Sequence, residues 1–160
     1  MIQLARSSRK PILIAVLLAI AVGGIGGGAT EIGPWYYSLI KPSWQPPDWA
    51  FGPIWTLIYI TTGIAGVRAW RLADSVQRRY FLGAILINCV LNVLWSVLFF
   101  KMQRLDLALI EVAALWLSIL PLVILPWRYS RSSSLLMLPY LAWVSVAAYL
   151  NLTIFRLNGG

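Results

Sequence analysis

Histidine is absent from this chain, and cysteine occurs only once, as Cys89. These two shortages exclude a disulfide within the chain, zinc sites of the usual histidine and cysteine type, and catalysis through a histidine base. Cys89 lies inside an apolar run, which is typical of a small buried residue rather than of a reactive thiol. The sequence therefore predicts no metal site and no obligatory cofactor.

Charge is also scarce: charged residues make up 11% of the chain and apolar residues 60%, with a mean hydropathy of +0.78. Ordinary globular proteins are about 25% charged and about 45–50% apolar. The composition therefore indicates an integral membrane protein. The net charge of +8 comes from basic residues in short gaps between apolar runs. That placement favours topology signals and contacts with anionic lipid, and it argues against a nucleic-acid partner.

Five apolar runs are long enough to cross a bilayer, since a spanning helix needs about 20 residues. The predicted fold is an all-α bundle of five transmembrane helices that forms a single domain over residues 1–160. The first run follows Arg6, Arg9 and Lys10 as a signal peptide would. It lacks a clear cleavage site, however, so we interpret it as a retained helix. The predicted spans are 12–29, 51–67, 80–100, 107–127 and 135–155.

The segment 30–50, between the first two runs, combines prolines with aromatic residues. It contains Pro34, Pro42, Pro46 and Pro47 together with Trp35, Tyr36, Tyr37, Trp44 and Trp49. Proline lacks an amide donor and disfavours helix at the residue before it, so neither neighbouring helix simply extends through this segment. The aromatic content argues against a solvated or disordered linker. We expect a long ordered loop that caps one end of the bundle.

Lysine and arginine are divided unequally between the two ends of the predicted bundle. Nine lie with the N-terminus and the second and fourth connections, and four lie with the loop 30–50 and the other end. The positive-inside rule then places the N-terminus in the cytoplasm of a bacterial cell. We expect a multi-pass protein of the bacterial cell membrane with the loop 30–50 outside.

Polar residues inside the spans need partners, because hydrocarbon offers none. Asn88, Asn92 and Asn151 should point inward, either as hydrogen-bonding contacts between helices or as part of a ligand site, and both interpretations stay open. Glu111 is the only acid well inside a span, and such residues are functional candidates by default. It lies about a turn from the membrane edge, so we predict a boundary ion pair with Lys101 or Arg104.

Four of the nine tryptophans fall into two contrasting pairs. Trp70 and Trp127 lie at helix ends beside arginines, which is typical of the interfacial belt. Trp55 and Trp143 lie deeper, where an indole N–H needs an acceptor or a ligand, so they are the best pocket candidates. Two G-x-x-x-G pairs end the first run, and they could serve packing within the bundle, a homodimer, or room for a planar ligand. The pairs are Gly23 with Gly27 and Gly24 with Gly28.

Three motifs resemble the TspO/translocator family, whose members are also known as tryptophan-rich sensory proteins and peripheral-type benzodiazepine receptors. The first runs from Trp35-Tyr36 through the segments 41–49 (KPSWQPPDW) and 51–59 (FGPIWTLIY). The second is Asn92-Val93-Leu94-Trp95 with Phe99-Phe100. The third is the segment 139–143 (PYLAW), followed by Ala147 and Leu150-Asn151. Together they cover nearly the whole chain after residue 35.

The resemblance implies five helices around a cavity beneath the first loop. It implies ligands such as protoporphyrin IX, haem, bilins, cholesterol or benzodiazepine-type drugs, and a homodimer. Two positions depart from relatives: Leu107 stands where several carry tryptophan, and Leu152-Thr153 stand where animal members carry aromatic residues of a sterol-recognition segment. The ligand-binding residues carried over are Tyr36, Pro47, Trp55, Tyr59, Asn92, Trp95, Trp143, Ala147 and Leu150.

Three functions compete at this level. The first is a tetrapyrrole-binding membrane sensor, in which a planar macrocycle stacks on Trp55 and Trp143. The second is an enzyme that degrades porphyrin under light, with Trp55 and Trp143 as candidate catalytic residues and reactivity supplied by the chromophore. The third is a transporter of tetrapyrroles or sterols, which ranks last because no midplane acid or inverted repeat is present.

Overall fold

The computed structural model describes residues 9–159, and all regular structure within that range is helical. This confirms the all-α prediction. We number the α-helices in chain order and treat a π-helical turn at Val97–Lys101 and a short 3₁₀ turn at Pro126–Arg128 separately. The α-helices are α1 Lys10–Ala29, α2 Pro34–Ser38, α3 Asp48–Leu72, α4 Ser75–Ser96, α5 Leu105–Ile124 and α6 Arg131–Leu157.

Five of these helices, α1 and α3 to α6, are long and apolar enough to span a membrane, as the sequence predicts. Most are longer than the predicted runs, because helical hydrogen bonding continues past the first charged residue into the interfacial region. The start of α4 shows how such an end is stabilised. The Asp74 carboxylate accepts the amides of Val76 and Gln77, and the Gln77 side chain accepts the amide of Asp74. This capping box begins α4 before the predicted residue 80.

The spanning helices form a closed ring in the order α1, α3, α6, α5, α4, each packed against two neighbours. Side-chain hydrogen bonds connect neighbouring antiparallel helices of the ring. Asn88 on α4 donates to Ser118 on α5 over 2.8 Å, and Asn151 on α6 donates to the Leu105 carbonyl on α5 over 3.2 Å. The ring buries α5 most deeply, whereas α1 and α3 bury only three residues each within the described range. The contacts of α1 with α3 and with α4 are the least extensive in the ring, so α1 is its most loosely held helix.

The loop between α1 and α3 is ordered and caps one end of the ring, as predicted. Tyr36 on α2 is buried against Phe99, and its hydroxyl donates to the Asp48 carboxylate over 3.0 Å. Burial and this acidic neighbour raise the pKa of Tyr36. Trp44 stacks on Tyr149 of α6 with ring centroids 5.2 Å apart. The loop is thus held by aromatic packing and by partly buried hydrogen bonds together.

The far side of the loop is tied to the end of α6. The Ile40 amide donates to the Asn158 side chain over 3.0 Å, and the same side chain donates back to the Ile40 carbonyl over 2.9 Å. A π-helical turn follows α4, and the chain then turns through Gln103 in a left-handed conformation, with φ of 54°. That irregular corner brings Phe99 and Phe100 beneath the loop, where they pack against Tyr36.

Candidate functional site

An apolar cavity of about 200 Å³ lies between α1, α3 and α4, with a floor from α5 and α6. It runs from Pro11 and Trp70, at the end opposite the loop, to Val22, Ile58 and Asn92 near the middle of the bundle. The resemblance implies a cavity beneath the loop, so this one occupies a different half of the bundle. The lining residues are Pro11, Ile14, Ala15, Leu18, Ala19, Val22, Ile58, Tyr59, Thr62, Gly63, Gly66, Val67, Trp70, Phe81, Leu82, Ile85, Asn88, Cys89, Asn92, Leu122, Met137 and Tyr140.

Three polar residues of the cavity wall, Asn88, Asn92 and Tyr140, form a hydrogen-bonded cluster centred on Tyr140. Its hydroxyl donates to Oδ1 of Asn88 over 3.1 Å and accepts Nδ2 of Asn92 over 3.0 Å. Asn88 also donates to Ser118 across the α4–α5 interface. The inward orientation of both amides is confirmed. Asn88 and Asn92 join helices and also line the cavity, so their contacts do not choose between the two interpretations.

Asn151 and Trp95 form a separate pair nearer the loop. Nε1 of Trp95 donates to Oδ1 of Asn151 over 3.2 Å, and the Asn151 amide donates on to the Leu105 carbonyl. Asn151 therefore joins α4, α5 and α6 with its polar atoms engaged within the protein. The pair gives the indole N–H of Trp95 the hydrogen-bond acceptor that a tryptophan at this depth needs.

Tyr59 forms part of the cavity wall, and Trp55 stands behind it. The two rings are stacked with centroids 5.6 Å apart and planes 28° apart, and the Trp55 ring also meets Tyr140 edge to face at 6.1 Å. Gly23 on α1 makes room for this arrangement, since a Cβ there would lie 3.2 Å from Cε2 of Tyr59. Of the nine ligand-binding residues that the resemblance implies, Tyr59 and Asn92 line the cavity. Trp55 lies outside the lining, stacked on Tyr59.

Tyr36, Trp95 and Leu150 lie together beneath the loop, in a closely packed cluster rather than around the cavity. Trp95 meets Phe99 at 5.2 Å, Phe99 meets Phe100 at 4.8 Å, and Phe100 meets Tyr36 at 5.7 Å between ring centroids. We call this group the loop-side cluster. Its rings contact each other, so a ligand there would have to separate them.

The remaining three predicted residues are dispersed. Pro47 is the N-cap of α3, and its carbonyl accepts the Ala50 amide over 2.8 Å. Trp143 is half-buried and meets Phe51 edge to face at 5.7 Å. Ala147 is half-buried on α6. Trp55 and Trp143 flank the same buried cluster around Ile58 and Val144, but each already contacts an aromatic ring of its own. A sandwich of a macrocycle between them is therefore not preformed.

The predicted boundary ion pair of Glu111 is wrong. Arg104 pairs with Asp106 instead, with Nη2 2.6 Å from Oδ2 and Nε 2.8 Å from Oδ1. That hydrogen bond raises the pKa of Arg104. Glu111 is only 6% exposed, and within residues 9–159 neither of its carboxylate oxygens has a hydrogen-bond partner. The reason is helical phase: Glu111 shares the inward face of α5 with Ala108 and Leu115, away from the arginine at the helix start.

The sequence interpretation missed several residues of the cavity wall. Trp70, which the sequence predicts for the membrane interface, also lines the end of the cavity, and Cys89 lines the cavity as well. Gly63 and Gly66 open the α3 side, where an added Cβ would meet nothing within 4 Å. The sequence does carry a signal for these two glycines, because Gly63 follows Tyr59 by four residues and Gly66 follows Thr62 by four. Residues at that spacing lie on the same side of a helix. Within the part of the chain that the structure describes, no group of three or more Cys, Asp or Glu residues could hold a metal.

These features define a multi-pass helical membrane protein with an aromatic loop over one end and an apolar cavity inside. Residues 14–157 match the TspO/MBR family, and the chain belongs to that family. It is accordingly a membrane protein of the sensory and translocator type.

Similar proteins span this chain almost completely. The tryptophan-rich protein TspO of Chlorobaculum tepidum is 39% identical over 153 residues, which cover 91% of this chain and 94% of that protein. The protein CrtK of Rhodobacter capsulatus is 36% identical over 144 residues, covering 89% and 90%. The translocator protein of Sus scrofa is 29% identical over 152 residues, covering 92% and 90%.

Proposed function

We propose that this protein is a membrane-embedded sensor that binds tetrapyrroles, such as protoporphyrin IX, haem or a bilin, with sterols and benzodiazepine-type drugs as further ligands. The observation that carries the proposal is the apolar interior cavity, whose wall holds one cluster of polar groups at Tyr140, Asn88 and Asn92. Small-molecule sites typically combine such a lining with a few placed polar groups. The apolar walls would hold the macrocycle, and the amide cluster would orient a polar edge.

The cavity must enlarge to accept a macrocycle. Its volume of about 200 Å³ lies below the range of about 300–1,000 Å³ that is usual for drug-sized ligands. Helix α1 supplies one wall and buries few of its side chains, so its outward movement would cost little packing. Rotation of Tyr59 away from Gly23 would add further room. We therefore expect ligand binding to be coupled to displacement of α1.

The chain contains no histidine, so the usual axial ligation of haem iron is not available. The affinity for the macrocycle would then depend mainly on shape and stacking. Metal-free protoporphyrin should therefore bind about as well as haem. Titration of the protein in nanodiscs, followed by quenching of tryptophan fluorescence, tests this. Absence of quenching by either ligand in well-folded samples would reject the proposal.

A pair of glycine variants on α3 locates the site. Gly63 lines the cavity, and a leucine there would fill it, whereas Gly52 lies outside the lining in the first turns of the same helix. An added Cβ meets nothing within 4 Å at either position. Overpacking costs about 1–3 kcal/mol, so Gly63→Leu should weaken protoporphyrin binding roughly tenfold. Gly52→Leu should bind as the parent does. Equal affinities for the two variants would place the ligand elsewhere.

A second candidate function is light-dependent porphyrin degradation. The stack of Trp55 on Tyr59 supports it, because a porphyrin in the cavity would lie one ring away from an oxidisable indole. The chromophore would have to supply the reactivity. Multiple turnovers under light that disappear in Trp55→Phe and Trp143→Phe would support an enzyme. Equal rates of porphyrin loss in the parent and the variants would reduce the effect to bystander photochemistry.

We also propose a homodimer that uses the outward face of α1. Gly23 meets Tyr59 and Gly26 faces Ser96, so one glycine face packs within the bundle. A Cβ on Gly24 or Gly28 would meet nothing within 4 Å, and their spacing allows two helices to approach closely. Gly24→Ile should lower the dimer fraction measured by cross-linking in nanodiscs. An unchanged dimer fraction would exclude this face as the interface.

A further inference from the structure

A second recess lies on the outer surface of the bundle, between α4 and α5. It is a groove of about 380 Å³, and it shares no lining residue with the interior cavity. Tyr80 and Ile87 on its α4 side are 66% and 60% exposed, so the groove faces the lipid. Its lining residues are Arg79, Tyr80, Gly83, Ala84, Ile87, Ser118, Pro121 and Leu125.

Small side chains on α4 create the groove. Gly83 and Ala84 lie one helical turn from Arg79 and Tyr80 and one turn from Ile87, so these residues share a face. A Cβ on Gly83 would meet nothing within 4 Å, which leaves the α4 backbone open to the membrane. From Arg79 to Ile87 the face runs about 12 Å along the helix, at 1.5 Å per residue. The groove is therefore a narrow apolar trough with a cation at one end.

Arg79 is the cation at the mouth, and within residues 9–159 its side chain makes no hydrogen bond or ion pair. Its neighbour Arg78 differs, because Nε of Arg78 donates to the Trp70 carbonyl over 2.9 Å and its guanidinium lies over the Trp70 ring. The acid nearest in sequence, Asp74, accepts the amides of Val76 and Gln77. The Arg79 guanidinium thus remains available to an anion from outside the protein.

The surroundings of the mouth are strongly basic. Among the described residues, this end of the bundle carries eight lysines and arginines and a single acid, Asp74. We call it the basic end. Arg128 follows the groove residue Leu125 by one turn and also makes no hydrogen bond or ion pair within the described range. Basic recesses between transmembrane helices are suited to anionic lipid headgroups.

We propose that the α4–α5 groove is a binding site for an anionic phospholipid of the leaflet at the basic end. The phosphate binds the Arg79 guanidinium, and Tyr80 lies at the level of the headgroup. An acyl chain fills the trough along Gly83, Ala84 and Ile87 against Pro121. Charge complementarity selects the occupant, because a zwitterionic lipid would bring its own cation into an already basic mouth.

Native mass spectrometry of the purified protein in detergent tests the site. Phosphatidylglycerol and phosphatidylcholine with identical acyl chains are added in equal amounts, and retained lipid is counted per protein. The parent should retain phosphatidylglycerol preferentially. One arginine near a membrane surface contributes about 1 kcal/mol, so Arg79→Gln should lower that preference roughly fivefold. Arg79→Lys should restore most of it.

Two further variants separate the groove from general surface charge. Arg68→Gln removes another exposed, unpaired arginine of the basic end that does not line the groove, and it should keep the parent preference. Gly83→Leu fills the trough and should lower retention of both lipids while Arg79 is intact. Equal losses in Arg79→Gln and Arg68→Gln would overturn the site, as would displacement of the lipid by inorganic phosphate alone. Circular dichroism and size-exclusion profiles show that each variant is folded.

Discussion

At the scale of single residues, the polar groups in the core differ in whether they have hydrogen-bond partners. Tyr140 hydrogen-bonds two asparagines at once, Asn88 and Asn92, which lie 52 and 48 positions before it in the sequence. Glu111 is the opposite case, a carboxyl group buried on the inward face of α5 without a partner in the described range. Both are costly inside a membrane protein unless their polar atoms are paired. They lead to opposite predictions for stability.

Tyr140→Phe should destabilise the protein. The substitution removes one hydroxyl and leaves Oδ1 of Asn88 and Nδ2 of Asn92 without their present partner. Hydrogen bonds between membrane helices average about 0.6 kcal/mol, with a maximum near 1.7 kcal/mol. We expect a loss of roughly 1–2 kcal/mol and a lower midpoint of thermal unfolding in detergent. Tyr149→Phe is the matched control, since its exposed ring keeps its stack on Trp44. Equal midpoints for the two variants would contradict this account.

Glu111→Met should stabilise the protein. Methionine is similar in length and apolar, so it removes two unpaired buried oxygens without opening a large cavity. An unsatisfied buried polar group costs about 1–3 kcal/mol, and the free energy of unfolding should rise by a similar amount. Glu31→Met, at an exposed position before α2, should change it little. A lower stability of Glu111→Met would show that the carboxyl group has a stabilising partner in the membrane.

At the scale of elements, the loop and α1 are held to the bundle in different ways. The loop is held by Tyr36, by the Trp44–Tyr149 stack and by the paired hydrogen bonds of Asn158. Helix α1 relies on the fit of its glycines against Tyr59 and Ser96. Because the loop is tightly held and α1 is not, we expect ligand access through the side of the bundle rather than through the loop.

Gly23→Ala tests how far this fit controls the cavity. Its new methyl group would lie 3.2 Å from Cε2 of Tyr59, so the ring must shift within its stack on Trp55. We expect a change in tryptophan fluorescence and weaker protoporphyrin binding, by roughly the fivefold that 1 kcal/mol of overpacking represents. Gly24→Ala adds the same methyl group one residue along, where it meets nothing within 4 Å. Indistinguishable behaviour of the two variants would remove Tyr59 from the binding argument.

At the scale of the whole molecule, the distribution of charge sets the orientation. The described range has eight basic residues at the basic end and four at the loop end. The positive-inside rule counts lysine and arginine in short connections, which describes this chain. We therefore expect the basic end to face the cytoplasm, and the lipid groove to meet the cytoplasmic leaflet.

Single-cysteine labelling checks that orientation. In a Cys89→Ser background, Ser43→Cys lies in the loop, and Ser132→Cys lies at the start of α6 on the basic end. A membrane-impermeant maleimide added to intact bacterial cells should label Ser43→Cys at once. It should label Ser132→Cys only after the cells are opened. The reverse pattern would invert the topology and move the groove to the other leaflet.

The number of spans, the helical class, the ordered loop and the family could all be predicted from the sequence. These follow from local quantities: bilayer thickness sets the length of an apolar run, and proline and aromatic content mark the cap. The sequence also predicted correctly that Asn88, Asn92 and Asn151 point inward, because hydrocarbon leaves an amide no alternative.

Which helix faces meet, and where room is left between them, follows from the three-dimensional packing of the helices. The cavity that Trp70 lines exists only because α1 and α4 lie beside α3, and Glu111 is near Arg104 in sequence but out of phase with it on the helix. The cavity between α1, α3 and α4 and the groove between α4 and α5 both arise from small residues opposite a neighbour that is distant in the chain. Such pairings depend on contacts between distant parts of the chain, and the residue pattern of a single helix does not predict those contacts.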